Sequence, residues 1–271
     1  MIIRVEDASD PRLDAFRWRE RQLASRPQRQ EKVGAGMFVA EGDLVVSRAI
    51  ASGAACVALL CDARHAGVLS PLVGESVPVY VGEDALRREV TGLGVPLAAT
   101  GLFGRPALLS PAQLLASARF VVVLEAIDNP TNVGAVLRSA AALGWDGVLL
   151  DATSADPLAR RALRVSMGTA LSLPFARAGQ EDDIAALLAI HGHRAFATTP
   201  DPSATDISHV TIVHGERTAL LLGSERGGLS PGLLAAAGTR VRIPMHAGTD
   251  SLNVGAAAAI ALHSLGPNGR S

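Results

Sequence analysis

Three segments of this 271-residue chain gather side chains able to hold and activate a polar ligand. The first is Asp128-Asn-Pro-Thr-Asn132-Val-Gly-Ala-Val-Leu-Arg138, the second Leu222-Gly223-Ser-Glu225-Arg-Gly227-Gly-Leu-Ser230, and the third runs from Ile243-Pro244-Met245 to Ser251-Leu252-Asn253-Val-Gly255. Singly, each has a structural use. Asn132 suits a helix cap, Arg138 a helix surface, Glu225 a turn and Ser251 an N-cap. Jointly, each segment follows an apolar run and precedes a helix-like one. In a parallel sheet those junctions lie at the carboxyl ends of strands, where ligands collect against free backbone amides. A shared pocket would hold two asparagines, a carboxylate, an arginine, a serine and backbone groups. It has no nucleophile–histidine pair and no His/Cys metal set, so direct group transfer suits it better than covalent catalysis. His246, alone in the third segment, reads as a packing or hydrogen-bonding residue.

The elements that must carry these segments alternate between short apolar runs and helical patterns. Phe120–Glu125 is the continuous apolar run of a strand buried on both faces. A helix from about Val133 to Leu143 follows, ended by Gly144. Then come strand 147–150, helix 157–165, strand 171–175, helix 182–191, strands 194–198 and 218–222, helix 231–236, an extended 240–243 and a helix 251–263. This order predicts a parallel α/β sheet flanked by helices. Ahead of it, helix 42–52, strand 57–61 and strand 77–81 predict a second, smaller α/β unit. Gly101, Gly104, Pro106, Ser110 and Pro111 cluster closely, placing a domain boundary there. The expected layout is residues 1–105, a linker over 106–118, and a domain over 119–271.

Composition narrows the classes. With 48% hydrophobic and 19% charged residues the chain is too apolar for disorder, and no apolar run is long enough for a membrane span. The N-terminus does not read as a secretory signal, which gives a cytoplasmic expectation. Cys56 and Cys61 read as buried structural thiols; no metal site is expected from them. Neither a G-x-G-x-x-G after the first strand nor a phosphate-loop motif occurs, which disfavours a dehydrogenase or NTPase. The net charge of −1 conceals a basic stretch: Arg12, Arg17, Arg19, Arg21, Arg26, Arg29 and Lys32 face only Asp14, Glu20 and Glu31. That stretch is either a solvated helix face or a contact for a polyanion.

In order and spacing, the three segments resemble the signature motifs of the SpoU/TrmH family of SPOUT-class RNA methyltransferases, over roughly residues 119 to 266. Gly255 stands where relatives often carry serine. The start of the chain, with Met37-Phe-Val-Ala-Glu-Gly42, is similar to the substrate-binding domain that rRNA-directed members place first. The resemblance implies a small ribosomal-protein-like α/β domain in front and a deep trefoil knot in the catalytic domain. It also implies a homodimer in which RNA-facing residues of one subunit meet S-adenosyl-L-methionine (SAM) held by the other.

On that resemblance SAM lies against Leu222, Gly223, Glu225, Gly227, Ile243, Pro244, Met245 and Leu252, with Thr198 nearby. The implied reaction is methyl transfer to a ribose 2′-hydroxyl, with rRNA ahead of tRNA as substrate. Arg138 is assigned to the hydroxyl. A guanidinium stays protonated, so stabilising the developing alkoxide and anchoring a phosphate fit it better than acting as a base. Asn132 and Glu225 would orient Arg138 or the substrate, and Ser251 with Asn253 would shape the site. Arg17, Arg19, Arg21, Arg26 and Arg29 become RNA contacts. The alternatives are a SPOUT-fold RNA-binding protein without catalysis and a base-directed SPOUT methyltransferase.

Overall fold

The computed structural model describes residues 1–23, 36–245 and 251–267. The chain divides into two compact units, Met1–Ala107 with Leu158–Ser172, and Leu108–Pro157 with Leu173–Ser271.

The first unit contains β1 (Ile2–Arg4), β2 (Met37–Glu41), β3 (Cys56–Cys61), β4 (Val79–Val81) and β5 (Ala99–Gly104), in the sheet order β1-β4-β3-β5-β2. β1 and β3 run parallel to β4, whereas β5 is antiparallel to both β2 and β3. Leu13, Phe16, Leu23, Val39, Leu60, Tyr80 and Val90 share one core. β5 lies where the boundary is expected from composition. Gly101 there serves packing and not a turn: a Cβ on it would sit 2.4 Å from the Phe103 ring and 3.0 Å from Leu59. Cys61 is buried and Cys56 half-buried, both unpaired. Burial pushes their thiols up to about 12 and about 11, so both stay protonated and inert.

Residues 158–172 also belong to this unit, although their place in the chain suggests the other sheet. The physical reason is Glu41, whose side chain is 1% exposed. The helix Arg160–Val165 offers it two guanidinium groups one turn apart: Arg160 at 2.8 Å and Arg164 at 2.6 Å. Arg160 also donates to the carbonyls of Phe16 and Trp18 at 2.8 and 3.0 Å.

The second unit holds a seven-stranded sheet of β6 (Phe120–Glu125), β7 (Gly147–Leu150), β8 (Phe175–Arg177), β9 (His193–Thr198), β10 (Thr205–Asp206), β11 (Arg217–Gly223) and β12 (Thr239–Arg242). The order is β10-β12-β9-β11-β6-β7-β8 and every pairing is parallel. The expected strand 171–175 lies later, as β8, because Thr169–Leu171 form a 3-10 turn and Pro174 has no N–H to give a ladder. The expected linker is corrected as well. Ser110 and Gln113 form a capping box on the helix Pro111–Ser117, and Leu114 and Leu115 are buried in the core of this unit. The helix Val254–Leu265 packs on the helix Pro130–Ala142, and Trp145 Nε1 donates to Leu262 O at 3.1 Å. Among the described residues no helix is long and apolar enough to cross a membrane.

Candidate active site

β12, β9, β11 and β6 are consecutive neighbours in the sheet and point the same way, so their carboxyl ends lie side by side. The three motif segments leave from β6, β11 and β12. Asn129 caps the helix Pro130–Ala142 by accepting from Thr131 N, which places Asn132 in its first turn, buried. Asn132 is therefore not the cap. Its Nδ2 donates to Glu225 Oε1 at 2.9 Å.

Asn253 closes the triangle. Its Nδ2 donates to Glu225 Oε1 at 2.8 Å and to Asn132 Oδ1 at 3.1 Å, while its Oδ1 accepts from Gly255 N at 2.9 Å and caps the final helix. The cap is thus Asn253 and not Ser251, which lies exposed just ahead of it with Leu252. Residues 93 and 121 positions apart are so joined around one carboxylate oxygen.

Glycine matters at two points. A Cβ on Gly223 would come within 2.2 Å of the Gly228 carbonyl carbon, so the loop after β11 folds back directly onto the strand end. A Cβ on Gly255 would meet the Ala135 Cβ at 3.0 Å and Asn253 Oδ1 at 3.1 Å. The departure at 255 thus permits close approach of two helices beside the network.

Among the other expected cofactor residues, Thr198 Oγ1 donates to Leu221 O at 2.9 Å and closes the end of β9. Leu222 is buried in β11, Gly227 donates to Ser224 Oγ, Ile243 and Met245 are half-buried beyond β12, and Pro244 is exposed. His246 lies outside the described residues. Arg138 is exposed and, among the described residues, stands apart from the Asn132–Glu225–Asn253 network.

The basic stretch divides. Arg17, Arg19 and Arg21 are all exposed, and Arg17 is tied to Asp14 at 3.2 Å and to the carbonyl of Ala8. Arg26 and Arg29 lie outside the described residues.

Some positioning groups escape a reading by residue type. Glu125, the last residue of β6, accepts from Ser230 N at 2.7 Å and fixes the exit of the Gly223–Ser230 loop. The only signal for it is a carboxylate ending an apolar run.

The arrangement is a set of backbone edges at strand ends around one carboxylate and two amides. Such a set suits a ligand carrying both a cationic centre and hydrogen-bonding edges, since among the described residues no buried cation joins the network to repel it. Among the described residues no His, Cys, Asp and Glu group is placed to hold a metal ion.

Comparison with known proteins follows the same lines. The SpoU rRNA methylase family model matches residues 119–263. An uncharacterised tRNA/rRNA methyltransferase of Mycobacterium tuberculosis is 40% identical over 97% of this chain and 93% of its own. A 23S rRNA (adenosine(1067)-2′-O)-methyltransferase of Streptomyces azureus is 38% identical over 53% of this chain and 52% of its own. An rRNA methyltransferase structure from Sinorhizobium meliloti is 25% identical with a TM-score of 0.80 over 96% of both chains. An AdoMet-bound rRNA methyltransferase from the same organism gives 24% and 0.81, again over 96% of both.

Proposed function

The chain belongs to the SpoU rRNA methylase family, and from that premise we propose that it transfers the methyl group of SAM to a ribose 2′-hydroxyl of structured RNA, rRNA of the 23S type ahead of tRNA. The observation that carries this reading is the Asn132–Glu225–Asn253 network, which draws all three motif loops to one point beside Arg138's helix. The ribose assignment is supported by the 2′-O-specific relative that is 38% identical over 53% of this chain.

SAM supplies a methyl group on a cationic sulfur when bound. In the proposal, the chain holds it with backbone groups of Leu222, Gly223, Gly227, Ile243, Pro244, Met245 and Leu252, with Thr198 closing the strand end beside them. Gly223 and Gly228 give the bare backbone such an approach needs. Glu225, fixed by two amide donors, orients the site electrostatically toward a cation. Asn132 and Asn253 keep Glu225 in place, and Ser251 lines the approach. A guanidinium is a fixed cation, so Arg138 stabilises negative charge developing on the 2′-oxygen as the hydroxyl proton passes to water, and it anchors the adjacent phosphate. Holding the hydroxyl in line with the methyl is the larger share of the rate gain.

The proposal includes a homodimer, a trefoil-knotted catalytic domain, a cytoplasmic location and an RNA-binding role for the first unit through Arg17, Arg19, Arg21, Arg26 and Arg29. Calorimetric titration with SAM and mapping of 2′-O-methyl sites in total RNA from cells with and without the protein test it. Micromolar SAM binding and loss of a discrete 2′-O-methyl mark in rRNA are expected. Absence of SAM binding favours an RNA-binding protein without catalysis. Loss of a base methyl instead favours a base-directed enzyme, and loss of a tRNA mark overturns the rRNA assignment.

A further inference from the structure

The segment that launches the Asn132 helix is held in an unusual backbone. Ala126, directly after β6, has φ +55°, a left-handed conformation that a residue with a Cβ adopts at a cost. Ser154, fully buried in the loop after β7, straddles it. Its Oγ donates to Leu124 O at 3.2 Å and accepts from Ile127 N at 3.1 Å, tying together the residues on either side of Ala126 and its neighbour. Ala155 N adds a bond to Ile127 O at 2.8 Å.

This loop is fixed from its far side by Arg177, the last residue of β8. Its guanidinium donates to Asp151 O at 2.7 Å, Ser154 O at 2.8 Å and Ala155 O at 3.2 Å. The chain of contacts therefore runs from β8 through the β7 loop to the strained turn at 126–127, and on to Asn129 and Asn132. It approaches β6 from the β7 side, opposite to β11, β9 and β12.

We infer that Ser154 and Arg177 are positioning residues that set Asn132 and Arg138 for methyl transfer without contributing to SAM binding. This rests on the proposed methyltransferase function. The lateral order of the strands gives the split: the brace touches β6 and the loop after it, whereas the proposed backbone contacts to SAM lie on loops after β11, β9 and β12, where Asn253 still holds Glu225 at 2.8 Å when Asn132 shifts. Displacing a reacting group by about 1 Å costs on the order of 100-fold in rate.

The test compares Ser154→Ala and Arg177→Lys with the wild type, measuring SAM affinity by calorimetry, kcat on substrate RNA, and amide hydrogen exchange by mass spectrometry. The expected result is a kcat lower by roughly 10- to 100-fold with SAM Kd within about twofold. Exchange should speed at residues 126–133 and stay unchanged at 223–229. An unchanged kcat in both variants overturns the inference, as does a parallel loss of SAM affinity and kcat. Arg177→Lys keeps a cation beside the same carbonyls and decides the matter if Ser154→Ala does not fold. A wild type that binds no SAM overturns the proposed function instead; exchange alone then decides whether the brace holds residues 126–133.

Discussion

Replacing Arg160 with alanine should destabilise the first unit far more than an ordinary surface arginine would. Arg160 is 16% exposed at its side chain and faces Glu41, which is 1% exposed. The substitution removes one charge-assisted bond of 2.8 Å and two bonds to the carbonyls of Phe16 and Trp18. All three bonds are donated by a cation and contribute about 1.5 kcal/mol each; with water partly replacing them, the net cost is about 3 kcal/mol. Arg164 stays on the other carboxylate oxygen and prevents the full penalty of an isolated buried charge. At a urea slope of about 2 kcal/mol per M, the unfolding midpoint drops by about 1.5 M. The two tryptophans permit a local measurement, since Trp18 lies in the first unit and Trp145 in the second. In a Trp145→Phe background, fluorescence during urea titration reports the first unit alone. A midpoint shift under about 0.3 M would mean that the cluster behaves as a solvated surface pair, and the argument from burial would fail.

The remaining expectations concern the second unit. Arg138→Ala should lower methyl transfer by about 100-fold or more while SAM Kd stays within about twofold, because Arg138 is exposed and outside the network; equal loss of both, by calorimetry and single-turnover kinetics, refutes its proposed role. Gly223→Ala forces a Cβ to within 2.2 Å of Gly228, so SAM affinity should fall by about tenfold or more. Gly227→Ala meets nothing nearer than Ser224 Oγ at 3.5 Å and should bind nearly as wild type; the reverse ranking would contradict the loop geometry. His193 donates from Nε2 to Ala118 O, and burial lowers its pKa to about 4. The unfolded chain takes up a proton as pH falls through about 6.5 and the folded one only near 4, so stability should decline across that window by up to about 3 kcal/mol. Urea titrations at pH 7 and 4.5 should show a smaller decline in His193→Gln, and equal declines would refute the assignment.

The half that carries the three motifs is largely readable because its strands are continuous apolar runs and each motif sits between a strand and a helix. Strand Phe120–Glu125 and helix Pro231–Ala236 lie where the pattern puts them. What pattern cannot supply is distance. Nothing in the chain order brings Asn253 within 3.1 Å of Asn132, and the cap expected at Asn132 is supplied by Asn129 instead. Glycine and proline mislead in the first half. Gly101 and Gly104 suggest a boundary but serve a packed strand, and Ser110-Pro111 suggests a linker but starts a helix. Helix Arg160–Val165 is legible as a helix, yet its neighbours in the chain point to the wrong core. Chain order does not tell which core a helix joins; the buried charge on Glu41 decides that, and Glu41 is 119 residues away from Arg160.

The helix Pro130–Ala142 shows why the two motif residues it carries must do different things. Asn132 and Arg138 are six positions apart, which places them about 120° apart around the axis. Asn132 is buried against Glu225; Ala135 meets the last helix at Gly255; Arg138 is left facing solvent. Arg138 therefore adds little to the internal order of the site, and its charge is available only to a group arriving from outside. A cation held apart from a network built around a carboxylate is badly placed to bind a sulfonium and well placed to meet a phosphate or a forming alkoxide. That separation is the reason the proposed chemistry assigns SAM to the loops and RNA to Arg138.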